Sequence, residues 1–363
     1  MKRKAKTMLA VCLVAVMALL AACGGNNSNN GGNTNANGSS GGSSSNNAAE
    51  KAIKVGYYVN ATLGDKSFFD SVQRGLERAE IELGVEGKTI EGGSNQADWA
   101  AGIESMVASK EYDVILVGTS QTTEIVADLA QRYPDQQFIF FDDAISDLPN
   151  VYSMTYSQSE GSFLAGAFAA LVTTSTELEA SNPDKVIGFV GGMDIPVIND
   201  FRSGYEQGAK YVDPEIQVVS SFIGDFVDAP KAKELTLAQF NSQNVDVTYQ
   251  VAAAAGLGVL EAGSEEGKYT IGVDSNQNYL YPGSVLTSMM KNLDTTVLRA
   301  LSKYIDGTLP FGTVEVLGVQ EGGVGLAKDE HFDQYVPQSI KDQMIEIEGK
   351  MLSGEIQVES ILE

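Results

Sequence analysis

The sequence predicts an α/β protein with two domains, each built on a mostly parallel sheet. Apolar strand-like runs alternate with amphipathic helical runs from residue 53 onward, which is typical of successive β-α-β units. About 310 residues follow that point, too many for one α/β core but suited to two domains of roughly 100 to 200 residues each. No stretch rich in Pro, Gly or Ser divides the two halves, so we expect the chain to cross between the domains more than once. A hinge of several crossings can close two domains on a ligand.

The first element of the chain has the pattern of a secretion leader, residues 1–22. Four cations between residues 2 and 6 precede an apolar run at residues 8–19, and the small residues Ala21 and Ala22 lead into Cys23. This pattern is typical of a bacterial lipoprotein and predicts cleavage before Cys23, with lipid attached to that cysteine. The apolar run is too short to span a bilayer comfortably, which disfavours a transmembrane anchor.

Residues 23–50 are predicted to be the lipidated cysteine and a disordered tether. The segment consists almost wholly of Gly, Asn and Ser, and therefore has too few apolar side chains to offset the entropy of an ordered chain. About 25 such residues have a root-mean-square reach of roughly 25 to 30 Å. We expect the folded part to be held on the extracytoplasmic face of a cell membrane, near an integral membrane partner.

In the first half, strands are predicted at residues 53–59, 89–91, 114–117 and 138–141. Apolar residues spaced by three and four from Phe69 to Leu83 predict the first helix, which should end at Gly84. A second helix passes through Trp99, and a third covers residues 123–133 before Pro134.

The second half repeats the alternation after Val151. Strands are predicted at residues 186–190, 216–222, 245–251 and 269–273, with helices through Phe201, Leu235 and Leu260. We expect crossings near Tyr156, Asn278 and Phe311. Lobe 1 would then comprise residues 51–155 and 282–311, because residues 285–305 are predicted to return to it. Lobe 2 would comprise residues 156–281 and 312–363.

Charge and reactive residues exclude several functions. The chain has 24 Lys and Arg against 48 Asp and Glu; removing residues 1–22 removes four cations and no acid, which leaves 20 against 48, a net −28. With no local basic patch, nucleic acid and anionic membrane surfaces are not expected as partners. Cys12 leaves with the leader and Cys23 carries lipid, so no disulfide is expected. The single histidine, His331, in a predicted polar loop, disfavours His-cluster metal sites and Ser-His-Asp catalysis. We expect no metal, no cofactor and no catalytic residue.

Ligands of open α/β sheets bind beyond the carboxyl ends of the strands, so the loops there are the candidate site. The candidate ligand-binding residues on these loops are Asp65, Phe68, Phe69, Asp142, Phe226, Gly256, Asp274 and Lys291. Phe69 lies on the apolar stripe of its helix and fits a core position, whereas Phe68 lies off that stripe. Asp142 could instead cap a helix or a turn. Asp228 is predicted to cap the helix through Leu235, and Gly191-Gly192 to form a tight turn rather than a phosphate site.

Short motifs at these loops resemble the basic membrane protein family, substrate-binding lipoproteins of ABC importers, several of which bind purine nucleosides. The motifs are GDKSF (64–68), FLAGA (163–167), VGGMD (190–194), FRSGY (201–205), GVD (272–274) and TSMMK (287–291). The resemblance covers essentially the whole chain after the tether. It implies the type I periplasmic-binding-protein fold, with two Rossmann-like lobes and a hinge of three crossings.

The resemblance also implies roles for the candidate residues. Phe68 and Phe226 would sandwich a flat base, and Asp142 would meet the base edge. Asp65, Gly256, Asp274 and Lys291 would hold the polar and sugar part. Where nucleoside binders of the family commonly have Asn after the first aromatic residue, this chain has Phe69, which leaves the identity of the ligand open.

The resulting hypothesis is a monomeric, lipid-anchored receptor that delivers a nucleoside to an ABC permease with a separate ATPase. A purine nucleoside is the first candidate for the ligand. One alternative is a sensor that presents its closed form to a signalling protein. A receptor for a sugar or another small polar ligand is the alternative within the same class. A nucleoside hydrolase would need a water-activating carboxylate cluster or a metal, and we expect that the protein is not an enzyme.

Overall fold

The computed structural model describes residues 52–362, which form two sheets flanked by helices. The strands are β1 Lys54–Val59, β2 Glu86–Glu91, β3 Val114–Gly118, β4 Gln137–Phe141, β5 Val151–Tyr156, β6 Val186–Gly191, β7 Gln217–Phe222, β8 Val247–Val251, β9 Tyr269–Asp274, β10 Val285–Lys291, β11 Val314–Leu317 and β12 Val324–Leu326. The helices are α1 Phe68–Leu83, α2 Gln96–Ser109, α3 Thr123–Arg132, α4 Gln158–Thr173, α5 Pro196–Val212, α6 Ala229–Ser242, α7 Gly256–Glu266, α8 Leu293–Ile305, α9 Glu330–Tyr335 and α10 Gln338–Leu352. The predicted leader, Cys23 and the tether lie outside the described residues.

Each sheet has six strands. The first has the order β11-β5-β4-β3-β1-β2 and all its strand pairs are parallel. The second has the order β12-β10-β9-β8-β6-β7, and only its edge pair, β10 with β12, is antiparallel. We call the first sheet with α1, α2, α3 and α8 the first lobe, and the second sheet with the remaining helices the second lobe.

The predicted helix boundaries follow local signals in the chain. α1 ends where Gly84 adopts a left-handed conformation, φ 72°, which glycine adopts without strain. α6 begins after Asp228, whose side chain accepts a hydrogen bond from the Lys231 amide at 3.0 Å, so the predicted cap is confirmed. His331, expected in a loop, lies instead in the short helix α9, after the capping residue Asp329.

The chain passes between the sheets after β5, after β10 and after β11. The first passage agrees with the expectation near Tyr156. The prediction that residues 285–291 return to lobe 1 is wrong, because they form β10, which pairs with β9 in the second sheet. Of residues 285–305, only α8 returns to the first lobe, where it packs against α1 so closely that a Cβ on Gly75 would lie 3.0 Å from the Val297 side chain. The expected passage near Phe311 falls after Leu317, because β11 pairs with β5 in the first sheet.

The main apolar core runs continuously through both lobes and through α4, which is buried on every side. A second core cluster lies under α2 and α3 in the first lobe, around Trp99 and Ile103. Within residues 52–362 no helix has the length and apolar composition needed to cross a membrane.

Candidate functional site

A cavity of about 200 Å³ lies between the lobes, at the carboxyl ends of their strands. The wall from the first lobe carries neutral polar groups, Asn60, Ser94, Gln96, Thr119, Ser120 and Gln121. The wall from the second lobe is largely apolar, with Met193, Ile195, Val197, Ile198, Phe201 and Val251. Six of the eight candidate residues line this cavity: Phe68, Phe69, Asp142, Phe226, Asp274 and Lys291.

Aromatic rings face the cavity from both lobes. Phe68 begins α1 and contacts the rings of Phe69 and Phe141, with centroids 5.0 and 5.9 Å away, and Phe69 also reaches the cavity. Phe226 lies in the loop after β7, over Gly192, where a Cβ would come within 2.3 Å of its ring. A glycine at position 192 is therefore needed for this ring to lie where it does. Phe69, which lies on the apolar stripe of α1, is partly buried: it packs against the core and also lines the cavity.

Asp142 and Lys291 form an ion pair that joins the lobes. The Lys291 ammonium lies 2.5 Å from Asp142 Oδ1, and the Lys291 side chain is 2% exposed. Asp142 directly follows β4, with its amide hydrogen-bonded to the Met154 carbonyl at 2.8 Å. Burial raises the pKa of the Asp142 carboxyl, and the adjacent ammonium acts against that rise. The sequence predicted both residues as candidate site residues but did not indicate that they form an ion pair with each other.

Three aromatic rings surround the buried ammonium. The Lys291 Nζ lies 4.8 Å from the ring centroid of Phe201, 5.4 Å from that of Tyr156 and 5.6 Å from that of Phe68. Ring faces attract a cation at this range. The cation is thus held by one carboxylate and by the faces of aromatic rings from both lobes.

Asp274 ends β9 and is the second buried acid of the cavity. Its Oδ2 lies 2.8 Å from the Ser67 hydroxyl of the first lobe. Burial raises the pKa of Asp274 to about 6, although Lys291 and the Ser67 hydrogen bond both favour the ionised form. This carboxyl therefore changes charge close to neutral pH.

Asn60, Trp99 and Phe201 are examples of lining residues that were not among the predicted site residues. Asn60 follows β1 and donates from Nδ2 to the Thr119 hydroxyl at 3.0 Å, while its buried Oδ1 has no hydrogen-bond partner among the described residues. Its position after a strand, like that of Asp142, is the signal that could have identified it. Trp99 and Phe201 follow the helical apolar period of their elements, so their sequence pattern indicates only core positions.

Asp65 and Gly256 do not line the cavity. The Asp65 carboxylate is buried and accepts hydrogen bonds from the amides of Ser67, Phe69 and Asp70 at 2.9–3.1 Å, so it caps the start of α1. A Cβ at Gly256 would lie 1.9 Å from Gln250 Oε1, so this glycine permits close packing of α7 on β8. Because both residues have structural partners behind the cavity, we leave them out of the ligand set proposed below.

Comparisons with known proteins agree with the resemblance. The model of the Bmp family, described as ABC transporter substrate-binding protein PnrA-like, matches residues 52–361. "Basic membrane protein A1" of Borrelia garinii is 28% identical over 309 residues, which cover 84% of this chain and 87% of that protein. The "ABC transporter nucleoside-binding protein BmpA" of Lactococcus lactis is 31% identical over 319 residues, 82% of this chain and 86% of that protein. An ABC transporter solute-binding protein from Aeropyrum pernix K1 superposes with a TM-score of 0.78 at 25% identity, covering 86% of this chain and 94% of the other.

Proposed function

We propose that this chain, which belongs to the Bmp family of PnrA-like ABC transporter substrate-binding proteins, captures a nucleoside between its two lobes and delivers it to an ABC permease. A purine nucleoside is the first candidate. The observation that carries the proposal is one cavity with aromatic rings from both lobes beside two buried carboxyls and an ammonium. The nucleoside-binding name of the Lactococcus relative supports the same ligand class.

The base is proposed to stack between Phe68 of the first lobe and Phe226 of the second. Each aromatic face contributes about 1–3 kcal/mol to stacking in nucleic-acid systems, so two faces can supply much of the affinity. Phe69, in contact with the Phe68 ring, would extend that wall. Donors on the base edge would meet the Asn60 Oδ1, which is buried and lacks a partner, and the Asp142 Oδ2, which lies outside the ion pair.

The sugar is proposed to lie against Asp274 and Lys291. Ribose hydroxyls donate to carboxylates and accept from ammonium groups. Of the two carboxylate oxygens of Asp274, the Ser67 hydroxyl contacts only Oδ2, so Oδ1 remains for a ligand hydroxyl. This arrangement separates base contacts from sugar contacts on different loops.

The charges of the cavity favour an unphosphorylated ligand. Its lining includes the acids Asp142, Asp225 and Asp274, whereas Lys291 is the only cation among the described lining residues and is already paired. A phosphate group would be desolvated beside these acids without a free cation. We therefore expect nucleosides to bind and nucleoside monophosphates to bind much more weakly.

The test is thermal unfolding of the purified protein with nucleosides, their 5′-monophosphates and free sugars. A ligand at a hundredfold excess over its Kd stabilises the folded state by about 2.7 kcal/mol, so a bound nucleoside raises Tm. Chelators should leave the shift unchanged. If only sugars raise Tm, the protein is a sugar receptor, and if no compound raises it, the proposed ligand class is wrong.

Delivery is proposed to take place at the extracytoplasmic face of the membrane, with the protein anchored by lipid on Cys23 and acting as a monomer beside a permease with a separate ATPase. Proteins of this family bind solutes for ABC transporters, which agrees with the expectation that the chain is not an enzyme. Cys23→Ala should leave the protein unprocessed or move it out of the detergent phase in detergent partitioning. A variant that is processed and partitions like the parent would contradict the anchor. Loss of nucleoside uptake by cells that lack the gene for this protein would support import, whereas unchanged uptake would support the alternative, a ligand sensor.

A further inference from the structure

Ser67 belongs to the first lobe but directs its side chain at the second. It precedes α1 and is fully buried, between the capping residue Asp65 and the ring of Phe68. Its Oγ lies 3.0 Å from the Val273 carbonyl oxygen and 2.8 Å from Asp274 Oδ2. The residue is therefore a direct contact between the loop before α1 and the end of β9.

The backbone around Ser67 reinforces the same contact. The Ser67 carbonyl accepts a hydrogen bond from the Ser275 hydroxyl at 2.8 Å, and the Lys66 carbonyl accepts one from Gln277 Nε2 at 3.1 Å. Arg74 of α1 also donates to the Ser275 hydroxyl at 2.8 Å. All these bonds join the two lobes, so the position of the Ser67 hydroxyl against Asp274 depends on how the lobes lie relative to each other.

The Ser67 hydroxyl has one hydrogen and two acceptors within reach. When Asp274 is neutral, the Ser67 hydroxyl can donate its hydrogen bond to the Val273 carbonyl oxygen. When Asp274 is ionised, its carboxylate is the stronger acceptor. Rotation about one bond is enough to move the hydrogen between them. The hydroxyl can therefore stabilise the ionised carboxylate without leaving its buried position.

We propose that Ser67 is a positioning residue that, from the first lobe, orients Asp274 of the second lobe and keeps it ionised as an acceptor for a ligand hydroxyl. This inference rests on the proposed function, because it assumes that Asp274 binds the sugar. It makes affinity depend on both lobe closure and the charge of one carboxyl. Ser67 itself need not contact the ligand.

The charged and titratable groups around Asp274 come from several elements. They are Lys291 on β10, Asp142 after β4, Asp65 before α1, Tyr249 on β8 and Arg74 on α1. The two acids and burial favour the neutral form, whereas Lys291 and the Ser67 hydrogen bond favour the ionised form. The pKa of Asp274 is raised to about 6, so nucleoside affinity should fall as pH falls through about 6.

The binding arm compares the parent protein with Ser67→Ala by calorimetry from pH 5 to 8. Removing the hydroxyl should weaken nucleoside binding about tenfold at pH 7.5, since hydrogen bonds to charged groups are among the stronger ones. The pH at which affinity falls should also move upward, because the ionised carboxylate loses a donor. Ser67→Cys, with a weaker donor of similar shape, should give an intermediate midpoint.

Ser71→Ala is the matched control. Ser71 is also buried on α1, but its hydroxyl oxygen accepts from the Asp294 amide and does not contact Asp274. Its substitution should leave the pH midpoint of binding unchanged. If the pH midpoint of binding is unchanged in Ser67→Ala, the inference is overturned, whether or not the affinity itself has changed. The proposed nucleoside function would remain intact.

A ligand-free arm separates this inference from the proposed function. The difference in unfolding free energy between the parent and Asp274→Asn should change between about pH 4, the unfolded pKa, and about pH 6, the folded pKa. Because the folded pKa is raised, the stabilisation from this group is complete below about pH 4 and is lost as pH rises. In a Ser67→Ala background the upper end of that window should move above 6. If it does not move, the coupling is absent, whichever ligand the protein binds.

Discussion

At the scale of single residues, the cavity contains backbone conformations that most side chains avoid. Thr119, Asp142 and Asp274 follow or end strands and have φ values of 79°, 70° and 62°. Asp tolerates the left-handed region better than most residues, whereas a β-branched Thr there is an outlier. All three line the cavity. Such conformations concentrate at functional sites, where the surrounding structure maintains them.

The first prediction concerns one aromatic face. Phe226→Ala should weaken binding of both a nucleoside and its free base by about 1–3 kcal/mol, because it removes the stacking surface of the second lobe. Phe226 is a better position for this test than Phe68, because Phe68 is a core residue whose truncation would also lower stability. Calorimetry with the two ligands measures the effect.

Phe222→Ala is the matched control for this prediction. Phe222 is likewise partly buried and nearby, but it packs against Phe189 and beneath Arg202 instead of lining the cavity. Its truncation should leave nucleoside affinity nearly unchanged. Equal affinity in the parent and in Phe226→Ala would remove Phe226 from the proposed site.

At the scale of secondary-structure elements, the packing of α4 on α5 supports the second lobe. Cβ atoms on Gly204 and Gly208 would lie 2.1 Å from the Ser159 carbonyl oxygen and 1.9 Å from the Phe163 carbonyl oxygen. A Cβ on Gly166 of α4 would lie 2.0 Å from the Tyr205 carbonyl oxygen. The helices therefore meet backbone to backbone, and this contact supports the first turns of α5, which face the cavity through Ile198.

The second prediction tests that contact with a single methyl group. Gly208→Ala should lower the free energy of unfolding by about 3 kcal/mol or more, because the new Cβ overlaps backbone that cannot rotate away. Gly349→Ala, at an exposed helical position in α10 with open space around it, should instead stabilise by about 0.5–1 kcal/mol. Urea unfolding of both variants measures the difference. Similar stability of the two would show that α4 and α5 can separate without penalty.

At the scale of the whole molecule, the three passages between the lobes are tied to one another. The Ser157 amide donates to the Leu317 carbonyl at 3.0 Å, and the Asn292 amide donates to the Gly323 carbonyl at 2.9 Å. The Val319 amide donates to the Glu160 carboxylate at 2.8 Å. The passages therefore form one hinge, and the Asp142–Lys291 pair and the Ser67–Asp274 contact join the lobes beyond it.

The third prediction concerns the ion pair across the lobes. Lys291→Met should destabilise the ligand-free protein by about 3–5 kcal/mol at pH 7.5, because it leaves the buried Asp142 carboxylate without a partner. Adding Asp142→Asn should recover much of that loss. Since burial raises the pKa of Asp142, the loss in the single variant should shrink as pH falls and the carboxyl takes up a proton.

Lys88→Met provides the surface comparison. Lys88 and Glu111 are well exposed and lie 3.6 Å apart, so solvent screening should leave this pair with little effect on stability. Denaturant unfolding of the single and double variants measures all these effects. If the double variant is no more stable than Lys291→Met, then Asp142 and Lys291 are not coupled.

Much of the fold and several site residues could be predicted from local pattern. Most strands in both lobes are continuous apolar runs and many helices follow a period of 3.6, and Asp142 and Asp274 follow from their places at strand ends. The pattern failed for α4, because a helix buried on all sides has no polar face to reveal its period. It also failed for Trp99 and Phe201, whose apolar spacing is equally consistent with core positions.

The sequence by itself therefore determined the α/β alternation, the family and the set of loops that face the ligand, since these depend on residues close together in the chain. Only the tertiary structure decided that β10 joins the second sheet, that Asp65 caps α1, and that Lys291 pairs with Asp142. The last two residues are 149 positions apart, and they meet because strands from both sheets end at one cleft. A buried charge binds whichever partner the closed fold brings within reach, and no local period encodes that partner.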